Sequence, residues 1–383
     1  MRTIIIWGAG RIGRGFVADI FSQAQGFKIV FVDIDRALVS QLNAARRYTI
    51  AAAGQGGISE KVFGAPFEAV HTSDIARLSD LFREPQLLLD IAVHEPKLSE
   101  VADMLAPLIE LRAETGLPMD VMMNVNMHRP DDRFSELMLE RLPGVAREFF
   151  RSNVGVTGIF AMCISPPTPD WLRAKDSLAL WNNGWKTQTV SRQAFRCPPP
   201  VAPRLCLTDD IAREETRKLY TLNMSHALLS YLGLPLGLKT SYEALKNEKI
   251  RPIQDGALLE ASCGLIHRFG FNESKMAAWR EKIIALLDNP YMEDGLQRLG
   301  ADSRRKLGHS DRLVGPALLA LEAGKEPVCL AKAIRAGFAY TNEDEGTRAV
   351  RSFYETYGLS TALTEFCGLS ESHPLHRLVM DSV

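Results

Sequence analysis

The chain has 383 residues, enough for more than one hydrophobic core, so two domains are expected. Its formal net charge is −1 with both signs interspersed, so nothing in the overall balance points to nucleic acid or an anionic membrane surface, and a small molecule is the expected partner. No apolar stretch approaches a membrane span and the first residues enter a motif rather than a cleavable leader, so a cytoplasmic location is expected.

Residues 3–7 are a β-branched apolar run leading directly into Gly8-Ala9-Gly10-Arg11-Ile12-Gly13, a G-x-G-x-x-G turn. Apolar residues then recur with helical spacing (Ile12, Phe16, Ile20, Phe21), and Lys28–Asp33 reads as a second buried strand. This is one βαβ unit with a dinucleotide-binding start. Gly8 permits the tight turn, Gly10 lets the backbone approach a pyrophosphate, and Gly13 lets helix and strand pack closely. The helix beginning near Arg11 aims its free N–H groups at the phosphates. Asp33 stands twenty residues after Gly13, where a carboxylate accepts hydrogen bonds from an adenosine ribose and repels an added 2′-phosphate. NAD is therefore expected rather than NADP. Arg36 either accommodates that phosphate or is a solvated first-turn residue.

A helix from about 36 to 46 leads into a glycine-bearing strand-and-turn excursion from Tyr48 to Val70. The parallel pattern resumes with a short helix near 73–83, a strand at 86–93, a long amphipathic helix from about 97 to 114 and a strand at 120–124. Such alternation implies an α/β class with a doubly wound, Rossmann-type sheet whose ligands bind at the carboxyl ends of the strands. His94, Asn124 and Asn126 fall at such ends: His94 and Asn124 are expected at the cofactor, Asn126 at the substrate. A helical stretch at 130–142 follows, then β-prone 153–164. The Pro- and Trp-bearing region through Trp171, Trp181 and Trp185 is expected to add further strands. From about Leu207 strands vanish and helical periodicity continues nearly to the end. The expected domains are 1–206, dinucleotide-binding with added strands, and 207–383, mainly α-helical and carrying substrate. The six cysteines are widely spaced with no C-x-x-C pair, which points to free thiols, most of them buried, and away from a metal site.

Lys218, Asn223 and His226 form K-x4-N-x2-H in the first helix of the second domain. At about 100° per residue, Asn223 and His226 lie within roughly 140° of Lys218, so one side of a helix can present all three. A desolvated lysine can take a proton from an alcohol while an amide and an imidazole donate to the developing oxyanion. Taken singly, each residue reads as well as a solvated lysine, a local hydrogen-bonding asparagine and a core histidine.

The stretch Arg217–Gly233 resembles the catalytic helix of the long-chain polyol (mannitol) dehydrogenases, and within them the mannitol-phosphate branch. Gly8–Phe16, Asn247–Arg251, Arg268–Phe271, Asn289–Tyr291 with Arg298, Arg305–Leu307 and Asp311–Leu313 carry the same resemblance. It implies an enzyme that oxidises a sugar-alcohol phosphate to a ketose phosphate, mannitol 1-phosphate to fructose 6-phosphate first. Hydride passes to NAD without a metal, Lys218 is the base, and Asn223 and His226 polarise the oxygen. By resemblance Arg298 contacts substrate and a monomer is favoured over an oligomer. Arg305 and Lys306, in a basic group with Arg304 and His309, could hold the phosphate or simply form a solvated helix end.

Three family motifs are altered. V-D-R-I-x-P is replaced by Ala161-Met162-Cys163-Ile164-Ser165-Pro166, E-N-M by Val125-Asn126-Met127, and T-A-V-G by Ile91-Ala92-Val93-His94. Loss of an acid and a base at 162–163 leaves two alternatives open: another polyol or keto-sugar acid (uronate) as substrate, or an NAD-binding sensor whose catalysis has decayed.

Overall fold

The structure, a computed structural model, describes residues 2–54, 56–127, 129–292 and 294–382. It divides into two compact units: Met1–Ala53 with Gly57–Ala212, and Arg213–Val383 with Gly54–Gly56.

In the first unit the strands are β1 (Arg2–Trp7), β2 (Phe27–Asp33), β3 (Tyr48–Gly54), β4 (Gly57–Phe63), β5 (Phe67–His71), β6 (Leu87–Ile91), β7 (Met119–Met123), β8 (Val154–Phe160), β9 (Leu180–Asn182), β10 (Gln188–Ser191) and β11 (Leu205–Thr208). Among the described residues, eight of them form one sheet in the order β11-β10-β8-β7-β6-β1-β2-β5, and β4-β3-β9 form a smaller one. The pairs from β5 to β8 are parallel, and the chain reverses at β10, which runs antiparallel to β8. Strands buried on both faces read as continuous apolar runs, and β1 illustrates why. Ile5 and Trp7 pack into the core on one face, Ile4 and Ile6 into the core on the other. Each such side chain contributes about 1.5–3 kcal/mol of burial.

Helices α1 (Ala18–Phe21), α2 (Arg36–Ala45), α3 (Ile75–Phe82), α4 (Leu98–Thr115), α5 (Pro130–Arg141), α6 (Gly144–Asn153) and α7 (Asp170–Lys175) complete the unit. Asp35 caps α2 by accepting from the N–H groups of Ala37 and Leu38. Arg112, fully buried in α4, donates to the carbonyls of Phe82, Glu84, Leu117 and Pro118 and so fastens the entries to β6 and β7.

The second unit is helical: α8 (Ile211–Lys218), α9 (Met224–Gly233), α10 (Ser241–Lys246), α11 (Ile250–Phe269), α12 (Glu273–Leu287), α13 (Leu296–Gly300), α14 (Ser303–Lys306), α15 (Val314–Glu322), α16 (Val328–Ala339), α17 (Glu345–Cys367) and α18 (Pro374–Asp381). Helix α9 lies at its centre, packed against α10, α13 and α16. Helices α11 and α15 pack closely because position 264 is glycine: a Cβ there would lie 2.7 Å from the Leu319 carbonyl carbon.

The expected fold class is observed, with four differences in detail. The 48–70 excursion contains β5, the third strand of the parallel half, which follows a β3–β4 detour. Helix α6 follows Pro143 and buries Ala146, Phe149 and Phe150 at helical spacing. Trp171 lies in helix α7, while Trp181 alone of the three tryptophans is in a strand. All six thiols are free, but only Cys367 is fully buried and Cys206 is exposed, because β11 lies at the sheet edge.

Candidate active site

The turn after β1 is built by close approach. Gly8 has φ +101°, and a Cβ there would meet the Ala92 carbonyl oxygen at 2.4 Å; one at Gly13 would meet the Gly8 oxygen at 2.1 Å. These two glycines are required by packing within the chain. Gly10 is not: a Cβ there meets nothing within 4 Å, and the residue is exposed. The open space over Gly10 is what a pyrophosphate approaching the backbone requires, so the turn fits a dinucleotide. The following helix begins with a hydrogen bond from the Arg14 N–H to the Gly10 oxygen and runs through a π-turn at Gly13–Val17. Arg11 and Ile12, half-buried, lie in its first turn.

Asp33 ends β2 with its Oδ2 accepting from the Ala9 N–H at 2.7 Å and its Oδ1 from the Asp35 N–H at 2.9 Å. The carboxylate thus holds the glycine turn, with lone pairs left for a ribose hydroxyl. Arg36 donates to the Ser73 hydroxyl at 2.9 Å. His94, exposed, follows β6, and Asn124, half-buried, follows β7. Asn124 donates Nδ2 to Oδ2 of Asp90 at 2.7 Å. Asn126, on the same loop, is exposed.

In the second unit α8 does not run straight into α9. Lys218 ends α8, a π-turn occupies Leu219–Asn223, and α9 begins at Met224. The 100° arithmetic of a regular helix does not carry across this turn, and π-turns recur at functional sites. Within it, the Thr221 hydroxyl bonds back to the Arg217 carbonyl at 2.6 Å and accepts from Trp279 Nε1 at 3.0 Å. The Arg217 guanidinium stacks 4.0 Å over the Trp279 ring.

Lys218, Asn223 and His226 are all half-buried. Among the described residues His226 Nε2 is shielded from solvent with no hydrogen-bond partner. Burial foremost, then the positive charges of Arg298, Arg312, Lys306 and Lys218, holds the imidazole pKa down at about 3. His226 is therefore neutral and faces a concentration of cations. Arg298 is tied to buried Asp294 and Arg312 to Asp311.

The basic group at 304–309 is not one surface. Arg305 is exposed and pairs with Asp302 at 2.9 Å. Lys306 is buried, with Nζ donating to the carbonyls of Leu299, at 2.7 Å, and Ala301. Its ammonium is spent on backbone, so Lys306 is not placed to grip a phosphate directly as the sequence suggested; burial, then Arg312 and Arg305, lowers its pKa to about 7. Arg312 and Asp90 are additional to the residues expected from sequence, although Arg312 lies within the Asp311–Leu313 motif.

The altered 161–166 segment is held by its backbone. Asn183 donates Nδ2 to the Met162 carbonyl at 2.9 Å and accepts from the Ile164 N–H at 3.1 Å, while the Met162 side chain is buried. Among the described residues no group of three or more His, Cys, Asp or Glu is arranged to hold a metal ion, and no helix is long and apolar enough to cross a membrane.

A family model described as the mannitol dehydrogenase Rossmann domain matches residues 2–181, and one described as the mannitol dehydrogenase C-terminal domain matches residues 210–353. Among solved structures, a D-sorbitol dehydrogenase in substrate-free form has a TM-score of 0.82 at 16% identity, over 98% of this chain and 91% of that one. A Pseudomonas fluorescens mannitol 2-dehydrogenase, in ternary complex with NAD and D-mannitol, has a TM-score of 0.75 at 14% identity, over 99% of this chain and 90% of that one. These likenesses extend through both units, and with the two matching family models they mean that the chain belongs to the mannitol dehydrogenase family.

Proposed function

We propose that the protein is an NAD-dependent polyol dehydrogenase in which Lys218 is the general base and Asn223 and His226 stabilise the reacting oxygen. The observation that carries this reading is the Nε2 of a neutral His226 in α9, shielded from solvent and without a hydrogen-bond partner among the described residues, one π-turn after Lys218 and three residues after Asn223. A buried polar atom without a partner is costly in a native fold and marks a place for a ligand. A neutral imidazole can share a hydrogen bond with an alcohol or carbonyl oxygen, and Asn223 can donate a second one. Lys218, as the neutral amine, takes the hydroxyl proton while the carbinol carbon gives up its hydride. NAD, when bound, supplies the hydride acceptor, held by Gly8, Ala9, Gly10, Arg11, Ile12, Gly13 and Asp33, with His94 and Asn124 at the adjoining strand ends.

The substrate reading is a sugar-alcohol phosphate, mannitol 1-phosphate and fructose 6-phosphate first, which would make the enzyme a mannitol-1-phosphate 5-dehydrogenase. The guanidinium groups of Arg298 and Arg312 act on His226, and Arg298, 58% exposed beyond its pair with Asp294, has donors left over for an anionic substrate. Arg298 is the candidate contact, with Asn126 at the strand end. Turnover with mannitol 1-phosphate, mannitol, fructose 6-phosphate and a keto-sugar acid, each with NAD(H) and NADP(H), tests the reading. It predicts the highest kcat/KM for the phosphates with NAD(H). A preference for the keto-sugar acid would move the assignment to a uronate oxidoreductase, and tight NAD binding without hydride transfer to any substrate would mark a sensor.

A further inference from the structure

Ala9, in the middle of the glycine turn, has both of its peptide groups occupied by side chains from within the first unit. Its N–H donates to Asp33, and its carbonyl accepts from Arg14 Nε at 2.6 Å. Arg14 is itself buried, at 7% exposure, although a guanidinium is among the costliest groups to take out of water. The chain meets that cost with several contacts. Arg14 Nη1 donates to the Leu178 carbonyl at 2.8 Å, the guanidinium lies 5.2 Å from the Tyr48 ring centre, and the Tyr48 hydroxyl donates to the Arg14 carbonyl at 2.9 Å. Asp176 closes the circuit by accepting from the N–H groups of Thr49, next to Tyr48, and of Leu178 itself. So much structure around one buried cation, directly behind a turn open to solvent over Gly10, calls for a purpose beyond folding.

We propose that Arg14 is an affinity-determining residue for the dinucleotide diphosphate, acting from behind the turn by fixing the Ala9 peptide and by placing its charge beneath the phosphates. It touches no cofactor atom and is a positioning residue. With the Ala9 carbonyl drawn inward to Nε, the plane of the next peptide is set and the Gly10 N–H is held toward the open side. The buried charge acts through a low-dielectric interior, where it is screened far less than a surface lysine would be. It also offsets the Asp33 carboxylate, which otherwise would oppose an incoming dianion.

This inference rests on the dinucleotide-binding reading above. The test is calorimetric binding of NAD, of ADP-ribose, which keeps the diphosphate, and of adenosine, which lacks it, to wild-type protein and to Arg14→Met and Arg14→Lys. Arg14→Met is expected to weaken NAD and ADP-ribose by about 10–100-fold, the range for a charge-assisted hydrogen bond, and adenosine by less than about threefold. Arg14→Lys, which keeps the charge without the two-point hold, should lose about 3–10-fold. Should Arg14→Met not fold, the lysine variant carries the test. ADP-ribose affinity within about threefold of wild type in the folded variants, or an equal loss for adenosine, overturns the role of Arg14 alone. Wild-type protein that binds neither NAD nor ADP-ribose overturns this inference together with the reading beneath it.

Discussion

Asn124, at the end of β7, gives its amide Nδ2 to Oδ2 of Asp90, a fully buried carboxyl inside the neighbouring strand β6, at 2.7 Å. Burial raises the Asp90 pKa to about 8, against hydrogen bonding from Asn124 and Gln188 that lowers it. The folded protein therefore holds this proton where the unfolded chain has released it. The contribution is complete below the unfolded value near 3.8 and is lost as pH rises to about 8. Chemical denaturation at pH 5, 7 and 8.5 should show Asp90→Asn gaining on wild type as pH rises, by up to about 1.4 kcal/mol per pH unit. Parallel curves for the two proteins would show that Asp90 is already ionised in the folded protein at pH 5, contradicting the raised pKa.

The glycine turn separates packing from binding. Gly13→Ala drives a Cβ against the Gly8 oxygen and is expected to destabilise the fold by about 2 kcal/mol or more. Gly10→Ala meets only open space, so its melting temperature should stay close to wild type while NAD affinity falls at least about tenfold. Unchanged NAD affinity in a folded Gly10→Ala protein would remove the diphosphate from this turn.

With its pKa near 3, His226 stays neutral across the working range. His226→Gln is expected to lower kcat by about 10²–10³ and to leave the shape of the kcat profile between pH 5 and 8 unaltered. If an ionisation between pH 6 and 7 disappears from that profile in the variant, the imidazole is titrating and its assigned role is wrong.

Lys306 and Arg305 are adjacent in sequence and opposite in kind. Lys306→Met strands the Leu299 and Ala301 carbonyls, the first buried and the second partly so, and should cost about 2–4 kcal/mol in denaturant unfolding, whereas Arg305→Ala, at an exposed ion pair, should cost less than about 1 kcal/mol. Wild-type stability should also rise with pH between about 7 and 10.5, where the unfolded chain keeps a Lys306 proton that the folded one has released. Equal costs for the two variants would contradict the buried placement of Lys306.

The β1–turn–β2 unit was legible because its signals are local: apolar runs of strand length, glycines at fixed spacing and an acid closing the second strand. Strand β5 was hidden by the β3–β4 detour before it, and α6 by Pro143-Gly144, which reads as a loop although it starts a helix. The π-turn after Lys218 has no signature in sequence, and the Trp279 contact that meets Thr221 within it comes from a helix 58 residues away. Asp90 carries no local signal, since the Asn124 that meets it lies 34 residues off. Arg305-Lys306 looked like one cationic patch because sequence gives charge and not direction. Altogether the residues of the candidate site were recognisable by resemblance, while their protonation, tethers and burial depended on contacts distant in the chain.

The central claim, that Lys218 removes the alcohol proton, is tested most directly by single-turnover nucleotide reduction with wild-type and Lys218→Met protein at saturating substrate, with NAD binding measured in parallel. A fall of at least about 10³-fold in the hydride-transfer rate is expected, with partial recovery on adding a small primary amine and NAD affinity within about threefold of wild type. A rate within about tenfold of wild type, in a variant that still binds NAD, would contradict it.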